Sequence, residues 1–307
     1  MNSCSKFFKD IFHIPALTQK INKRLILILE QFYTKERVSD KIFLTLMFRL
    51  RKGEWIRWKN PVTFSEKQQW LKLYNRDSRQ TMLTDKVLVK DWVGKRIGYE
   101  HIIPTLEVWN NVDEIDFNKL EFNTIIKCNH GSGPPFFAFY NEASDTGKIK
   151  EKLRKAMLID YSKHAGEWHY KNIERKILIE KNINPLNELI DYKFFCFNGC
   201  PKFIKVVIYR ENDQNSANYY DLKWNLIDIS QANWPADFSL KVKRPKNLEK
   251  MIDIAFVLSK DFPFIRIDLY NLNGKIFFGE MTFYQGAGFT KWLNKKTDKY
   301  LGEMLLI

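Results

Sequence analysis

Scarcities in the 307-residue sequence narrow the field first. It carries four cysteines, Cys4, Cys128, Cys196 and Cys200. The last two form a C-x3-C pair with no second Cys/His pair to complete a zinc site, so free thiols are expected. With only 10 prolines and 13 glycines against 45% hydrophobic residues, the chain is too apolar and too unpunctuated to remain disordered. Its length allows one large core or two to three subdomains. No long apolar run occurs either. Leu25 to Leu29 is stopped by Glu30, far short of the roughly 20 residues of a membrane-spanning helix. Lys9 and Asp10 interrupt the stretch that would otherwise read as a signal peptide. A cytoplasmic protein is the expectation.

Acidic residues are the other scarcity: 36 Asp and Glu face 50 Lys and Arg, for a net charge of +14. The excess is uneven, since residues 1–60 hold 13 basic and 5 acidic residues. Such a segment suits an anionic lipid, an acidic glycan or nucleic acid, and a plain solvated basic face reads equally well. No zinc-finger spacing or RNP-like aromatic strand accompanies the charge, so nucleic acid is not expected. Peripheral contact with the anionic inner membrane is one expectation for this region, and charge alone does not choose the partner.

What is present divides into a helical first part and a strand-rich remainder. Residues 1–60 read as helical, with Phe43, Leu46, Met47 and Leu50 at helical spacing, and end at Asn60-Pro61. Thr63 or Ser65 opens a helix bearing Trp70, Leu71 and Leu73. A second helix is predicted from Thr84 to Val93, and another from Lys148 to Ser162. Strands are predicted at Thr124 to Cys128, Lys176 to Ile183, and Tyr192 to Phe197 with Lys202 to Tyr209 around an Asn198-Gly199 hairpin turn. Residues 210–245 read as an irregular excursion. A helix follows Pro245, and the strands Phe264 to Tyr270 and Lys275 to Phe283 close the pattern. The divisions are 1–60, 61–120, 121–190 and 191–307.

The last two strands carry the most chemistry. Alternation puts Arg266 and Asp268 on one face of the first, and Ile276, Phe278, Glu280 and Thr282 on one face of the second. A three-residue loop Leu272-Asn273-Gly274 would set Arg266 opposite Glu280 and make Asp268 and Glu280 diagonal neighbours. Two such carboxylates suit Mg²⁺. The competing reading is an Arg266–Glu280 cross-strand ion pair with Asp268 in solvent. Lys127-Cys-Asn-His-Gly-Ser-Gly, a strand ending in a Gly/Ser turn, can cradle phosphate, although it matches neither the P-loop nor the dinucleotide-binding fingerprint. Glu180, ending an apolar strand, suits an adenine amino group or a ribose hydroxyl, or lies exposed in solvent.

In order along the chain these phrases resemble the TupA-like ATP-grasp family of bacterial surface-polysaccharide loci. The resemblance runs through Asn60-Pro-Val-Thr-Phe-Ser-Glu-Lys, Asp85-Lys86, Lys127 to Gly133, Glu167-Trp-His-Tyr-Lys-Asn-Ile, Asp191-Tyr-Lys-Phe-Phe, Phe262 to Tyr270 and Phe278 to Phe283. It implies an α/β (α+β) ATP-grasp-like fold, in which mixed or antiparallel sheets clamp a nucleotide site and a helical region precedes them. It further implies ATP and Mg²⁺, with Lys86, Lys127 and Lys193 toward the nucleotide and Gly131, Ser132 and Gly133 in a loop over the phosphates. Glu180 would lie near adenine and ribose, Asp268, Glu280 and Thr282 at the metal, and Arg266, Lys127 and Lys193 at the reacting groups. The implied activity is an amide-forming carboxylate–amine ligase using an acidic sugar or glycan and an amine. The chain departs from its relatives at Pro134-Pro135, Lys181 and Gln285. A glycosyltransferase is the rival enzyme, weakened by the lack of any D-x-D. A non-catalytic nucleotide- or glycan-binding scaffold is the other alternative. Tyr219, Tyr220, Trp224 and Trp234 read either as a sugar-stacking wall or as a small core.

Overall fold

The computed structural model describes residues 15–119, 124–131, 136–138, 145–183, 190–208 and 215–307. Ser132, Gly133 and the Pro134-Pro135 pair lie outside them. Two helices come first, α1 (Pro15–Thr34) and α2 (Asp40–Lys52). The predicted stripe on α2 is rotated: Phe43, Leu44, Met47 and Phe48 are buried, whereas Leu46 is exposed. Phe43 stacks on Tyr33 of α1, and this contact selects the buried face.

Helix α3 (Phe64–Tyr74) starts at Thr63, whose hydroxyl accepts from Glu66 N while the Glu66 carboxylate accepts from Thr63 N, a reciprocal capping box. The helix expected from Thr84 to Val93 is two helices, α4 (Arg79–Thr84) and α5 (Leu88–Ile97). Asp85 makes the break. Its Oδ1 accepts from the amides of Val87 at 2.8 Å and Leu88 at 3.3 Å, so it caps α5 instead of continuing α4.

A four-stranded antiparallel sheet contains β1 (Thr105–Trp109), β2 (Thr124–Cys128), β3 (Phe136–Ala138) and β4 (Ile177–Lys181), in the order β1-β4-β2-β3. Ile126, Ile177 and Ile179 pack with Leu153 of α6 (Thr146–Met157). That leaves Lys127 and Glu180 on the other face, by strand alternation. The helix expected over Lys148 to Ser162 ends at Met157, and Tyr161–Ala165 forms a separate turn, α7, capped by Asp160.

The larger sheet has six strands: β5 (Ile190–Phe197), β6 (Cys200–Ile208), β7 (Ser216–Asp221), β8 (Leu226–Ile227), β9 (Phe264–Leu272) and β10 (Lys275–Thr282). They are ordered β10-β9-β5-β6-β7-β8, and every pairing is antiparallel. Helix α8 (Leu248–Ser259) packs on β5, β6 and β9, burying Met251, Ala255 and Leu258 against Phe194, Ile204, Ile265 and Ile267. The region read as an irregular excursion therefore supplies two strands. Buried Tyr219 and Tyr220 fix β7, and the Asn218 amide donates to the carbonyls of Asp237 and Leu240, both at 2.7 Å, tying down the segment that follows.

The β9–β10 hairpin also differs from expectation. Its turn is the two residues Asn273-Gly274, both at positive φ, and Lys275 pairs with Leu272. An extra residue, Gly279, bulges out of β10, so the pairing steps from Phe278↔Leu269 to Glu280↔Asp268. Ile276 and Phe278 therefore point into the core with Met281 and Phe283, whereas Glu280 and Thr282 take the other face. Asp268 and Glu280 are directly opposite, not diagonal.

The Asn198-Gly199 turn pairs Phe197 with Cys200, and an extra residue in β6 between Pro201 and Phe203 then brings Lys193 opposite Lys205. Gly199 has φ 76°, and a Cβ there would lie 2.5 Å from the Lys260 carbonyl oxygen. Gly199→Ala is expected to destabilise the chain by more than about 1 kcal/mol in a urea titration, since both backbone angle and space oppose it. An unchanged midpoint would contradict this turn geometry.

Candidate active site

On the face of the large sheet opposite α8, four charged residues stand in a row across neighbouring strands. Glu280 is opposite Asp268, Asp268 opposite Lys193, and Lys193 opposite Lys205. Residues directly paired across strands share a face at about 5 Å, so the row is a property of register. Arg266 lies two positions along β9 from Asp268, on the same face.

Arg266 and Lys193 clamp Asp268. The guanidinium donates from Nε to Asp268 Oδ1 at 2.6 Å and from Nη2 to Oδ2 at 2.7 Å. It also reaches Glu280 Oε1 at 2.7 Å and Gln285 Oε1 at 2.6 Å. The Lys193 ammonium sits 2.5 Å from both Asp268 Oδ2 and Asp191 Oδ2. Asp268 is 1% exposed. The reading that paired Arg266 with Glu280 and left Asp268 in solvent is thus half right: the ion pair exists, and Asp268 is buried within it. Burial alone would raise the Asp268 pKa, but the Arg266 and Lys193 charges prevail and hold it below the usual carboxylate range. Burial likewise opposes the charged Lys193, yet Asp268 and Asp191 raise its pKa.

Lys86 enters from the helical side. Its ammonium donates to the Gly131 carbonyl, and Lys86 shares with Arg266, Glu280 and Thr282 the wall of a cavity of about 180 Å³. Burial lowers its pKa, and Glu280 opposes the shift. Asn129 holds this corner together. Its Nδ2 donates to Asp85 Oδ2 at 2.9 Å and to the Glu174 carbonyl at 2.8 Å, while Oδ1 accepts from Lys176 N at 2.7 Å. The smaller sheet adds Glu180, 3% exposed and therefore not a solvent-facing strand end. Lys127 binds its Oε2 at 2.6 Å and Lys90 its Oε1 at 2.5 Å. Burial would raise the Glu180 pKa, and these two lysines lower it.

The acidic pair can supply two oxygen ligands to Mg²⁺. The described residues contain no group of three or more His, Cys, Asp or Glu around a common point. Two protein carboxylates suit an ion that keeps waters and phosphate oxygens. Glu280 Oε1 accepts from Arg266 and from the Thr282 hydroxyl at 3.0 Å, and Oε2 has no partner among the described residues. Among the described residues Asp268 Oδ1 accepts only from Arg266 Nε, leaving a lone pair. Thr282 orients Glu280 in this arrangement.

The geometry thus gathers Arg266, Asp268, Glu280, Thr282 and Lys193 into one cluster, with Lys86 and the Gly131 carbonyl across the cavity. Lys127 and Glu180 form a neighbouring pair. Sequence reasoning missed Lys90, Asp191 and Lys205. Lys90 stands in the first turn of α5, four residues after Lys86 in the turn that precedes the helix. Lys205 interrupts the apolar run Phe203 to Ile208, which was its only signal. Of the four aromatics, Tyr219 and Tyr220 belong to the core, and Trp224 stacks on Tyr220 at 4.4 Å. Only Trp234 lines a cavity of the site.

Comparison with known proteins fits this architecture. The TupA-like ATP-grasp family matches residues 66–306. The chain belongs to the TupA-like ATP-grasp family. No curated protein sequence matches significantly. Among solved structures, a D-alanine–D-alanine ligase from Bacillus anthracis is 15% identical at a TM-score of 0.40, over 67% of this chain and 58% of that one. The Helicobacter pylori D-alanine–D-alanine ligase is 17% identical over 79% of this chain and 69% of that one, at a TM-score of 0.41. The ATP-grasp ligase PsnB, in complex with a precursor variant, Mg and ADP, is 10% identical over 82% and 64%, at 0.42. The chain therefore spans under two thirds of the length of the first of these. Among the described residues no helix is long and apolar enough to cross a membrane.

Two expectations follow from the charges. Glu180→Gln leaves Lys127 and Lys90 without their shared counter-ion, which should cost about 3 kcal/mol in urea unfolding; a loss within experimental error would show that the pairs are dispensable. Lys205 is depressed from 10.5 to about 7, by burial first and then by Arg266 and Lys193. Between those values the unfolded chain holds the extra proton, so this group makes stability rise with pH. Lys205→Met should therefore be the more stable protein near pH 6, with the advantage shrinking toward pH 10. Equal effects at both ends would contradict the assignment.

Proposed function

We propose that the chain is an ATP- and Mg²⁺-dependent carboxylate–amine ligase. The observation that carries this reading is the single cavity in which Lys86, Arg266, Glu280 and Thr282 face one another beside the clamped Asp268. Membership of an ATP-grasp family supports ATP as the co-substrate. In the proposed reaction a carboxylate oxygen takes the γ-phosphoryl group and ADP leaves with the bond it shared. An amine nitrogen then attacks the acyl carbon and loses a proton, and phosphate departs. A magnesium ion held by Asp268 and Glu280 would neutralise phosphate charge.

Each side chain has a defined part in this scheme. Arg266 offers a fixed guanidinium where charge develops on the transferred group, so little reorganisation accompanies the reaction. Lys193 keeps Asp268 ionised and aimed. Lys86 supplies a partly desolvated ammonium for phosphate, and Lys127 does so by sharing its charge between Glu180 and the nucleotide. Glu180 accepts from an adenine amino or ribose hydroxyl with its remaining lone pairs. An acidic sugar or glycan as acyl donor and an amine as acceptor, in surface-polysaccharide synthesis, complete the reading.

Thermal unfolding tests it directly. Mg-ATP at about a hundred times its Kd should add ~2.7 kcal/mol of stability. Asp268→Asn should remove most of that gain and slow ADP release by at least about a hundredfold, as loss of a preorganised charge does. Unchanged turnover in that variant would sink the metal assignment. A response to UDP-sugars alone would point to a glycosyltransferase.

A further inference from the structure

Arg266 faces two cavities. Beyond the smaller one beside Lys86, a second of about 750 Å³ lies over the basic half of the charged row, beneath α1 and α2. Its described lining includes six cations, Lys23, Arg51, Lys193, Lys205, Arg266 and Lys291, and no Asp or Glu. Three of the six are engaged: Lys193 and Arg266 as above, and Arg51 at 3.5 Å from Glu30.

Lys205 is different. It is 5% exposed, yet no carboxylate lies within ion-pair distance among the described residues, and its ammonium stands 5.5 Å from the centre of the Trp234 ring. An ammonium buried without a counter-ion is costly, and the cost is recovered when a ligand supplies the anion. Lys23 and Lys291 at the rim also have no acidic partner among the described residues. One carboxylate at Arg266, where the two cavities meet, leaves this set unused.

We propose that the larger cavity binds the carboxylate substrate, and that this substrate carries a second anionic group, a phosphate or another carboxylate, seated at Lys205. The first carboxylate's identity rests on the ligase reading, whereas the second anion's place rests on Lys205. Arg266 on β9 and Lys205 on β6 are separated by β5, so their backbones lie roughly 10 Å or a little more apart, given a strand spacing near 4.8 Å. With both side chains reaching inward, that span fits a phosphorylated or dicarboxylic sugar acid.

The test is calorimetric titration of the nucleotide-free protein with glucuronate, glucuronate 1-phosphate and glucarate. A charge-assisted contact predicts that at least one dianion binds about tenfold or more tightly than glucuronate. The phosphate and dicarboxylate arms identify which second anion the site takes. Lys205→Met should abolish the preference, bringing the affinities of the three ligands within about twofold of one another. This variant keeps the buried stem and removes only a buried charge, so folding is not at risk. Lys291→Gln, at an exposed position, should weaken the preference in part. Equal affinity for mono- and dianions, a preference that survives Lys205→Met, or no binding of any of the three overturns the proposal. ADP release with Mg-ATP is measured alongside. A dianion preference without ADP release keeps this site and removes the ligase reading; ADP release with no preference does the reverse.

Discussion

Four charged side chains on one sheet face, Arg266, Asp268, Lys193 and Asp191, have to neutralise one another largely out of water. Asp268 is the pivot of that set, because Arg266 takes both of its oxygens and Lys193 the second one again. Removing a carboxylate from water is costly, and two cations at hydrogen-bond distance are what make its ionised form tolerable here. The arrangement in turn dictates the rest. Lys193 has to be shared with Asp191, Arg266 has to reach Glu280 and Gln285, and the strands bearing them have to keep their register. Slipping β9 by one residue would send Arg266 and Asp268 into the apolar layer beneath α8.

The charges are not balanced along the row. Its β10–β9 end is acidic and its β5–β6 end basic, with Arg266 beside the acidic part. A cation and its phosphates are suited to the first end, and an anionic substrate to the second. The two cavities follow that division and meet at Arg266. The helical side faces this junction through Lys86, which is bonded to the Gly131 carbonyl and sits between the opposing fields of Glu280 and Lys127. Asn129 fastens the loop after β2 to the α4–α5 break, so the position of Lys86 depends on residues from both sides.

Much of the site is legible in the order of residues along the chain. Alternation in Phe264 to Tyr270 puts Arg266 and Asp268 on one face, and they are there. The Asn198-Gly199 turn, the Thr63 start of α3 and the helix after Pro245 are marked by local chemistry that acts within a few residues. The failures have a common origin in long-range contacts. Leu44 and Phe48 displace Leu46 from the buried face of α2, and Leu50 is only partly buried, because Tyr33 stacks on Phe43. The bulge at Gly279 escapes a reading of β10 alone, because one extra glycine leaves an alternating pattern that still reads well until its partner strand is known. Strand β7 escapes it too, because its Asn and Tyr residues look polar and irregular, yet both faces of it are buried.

The local elements, the basic excess and the succession of phrases that marks an ATP-grasp family all follow from the linear sequence, since each depends on neighbours along the chain. Tertiary packing was needed to place Glu280 opposite Asp268, to make Lys90 and Lys127 share Glu180, and to let Lys205 close the charged row with no acid of its own among the described residues. Those facts depend on strand register and on which faces are covered. Both are set by packing between residues tens to hundreds of positions apart, and pairing with such distant partners leaves no periodic trace in the chain.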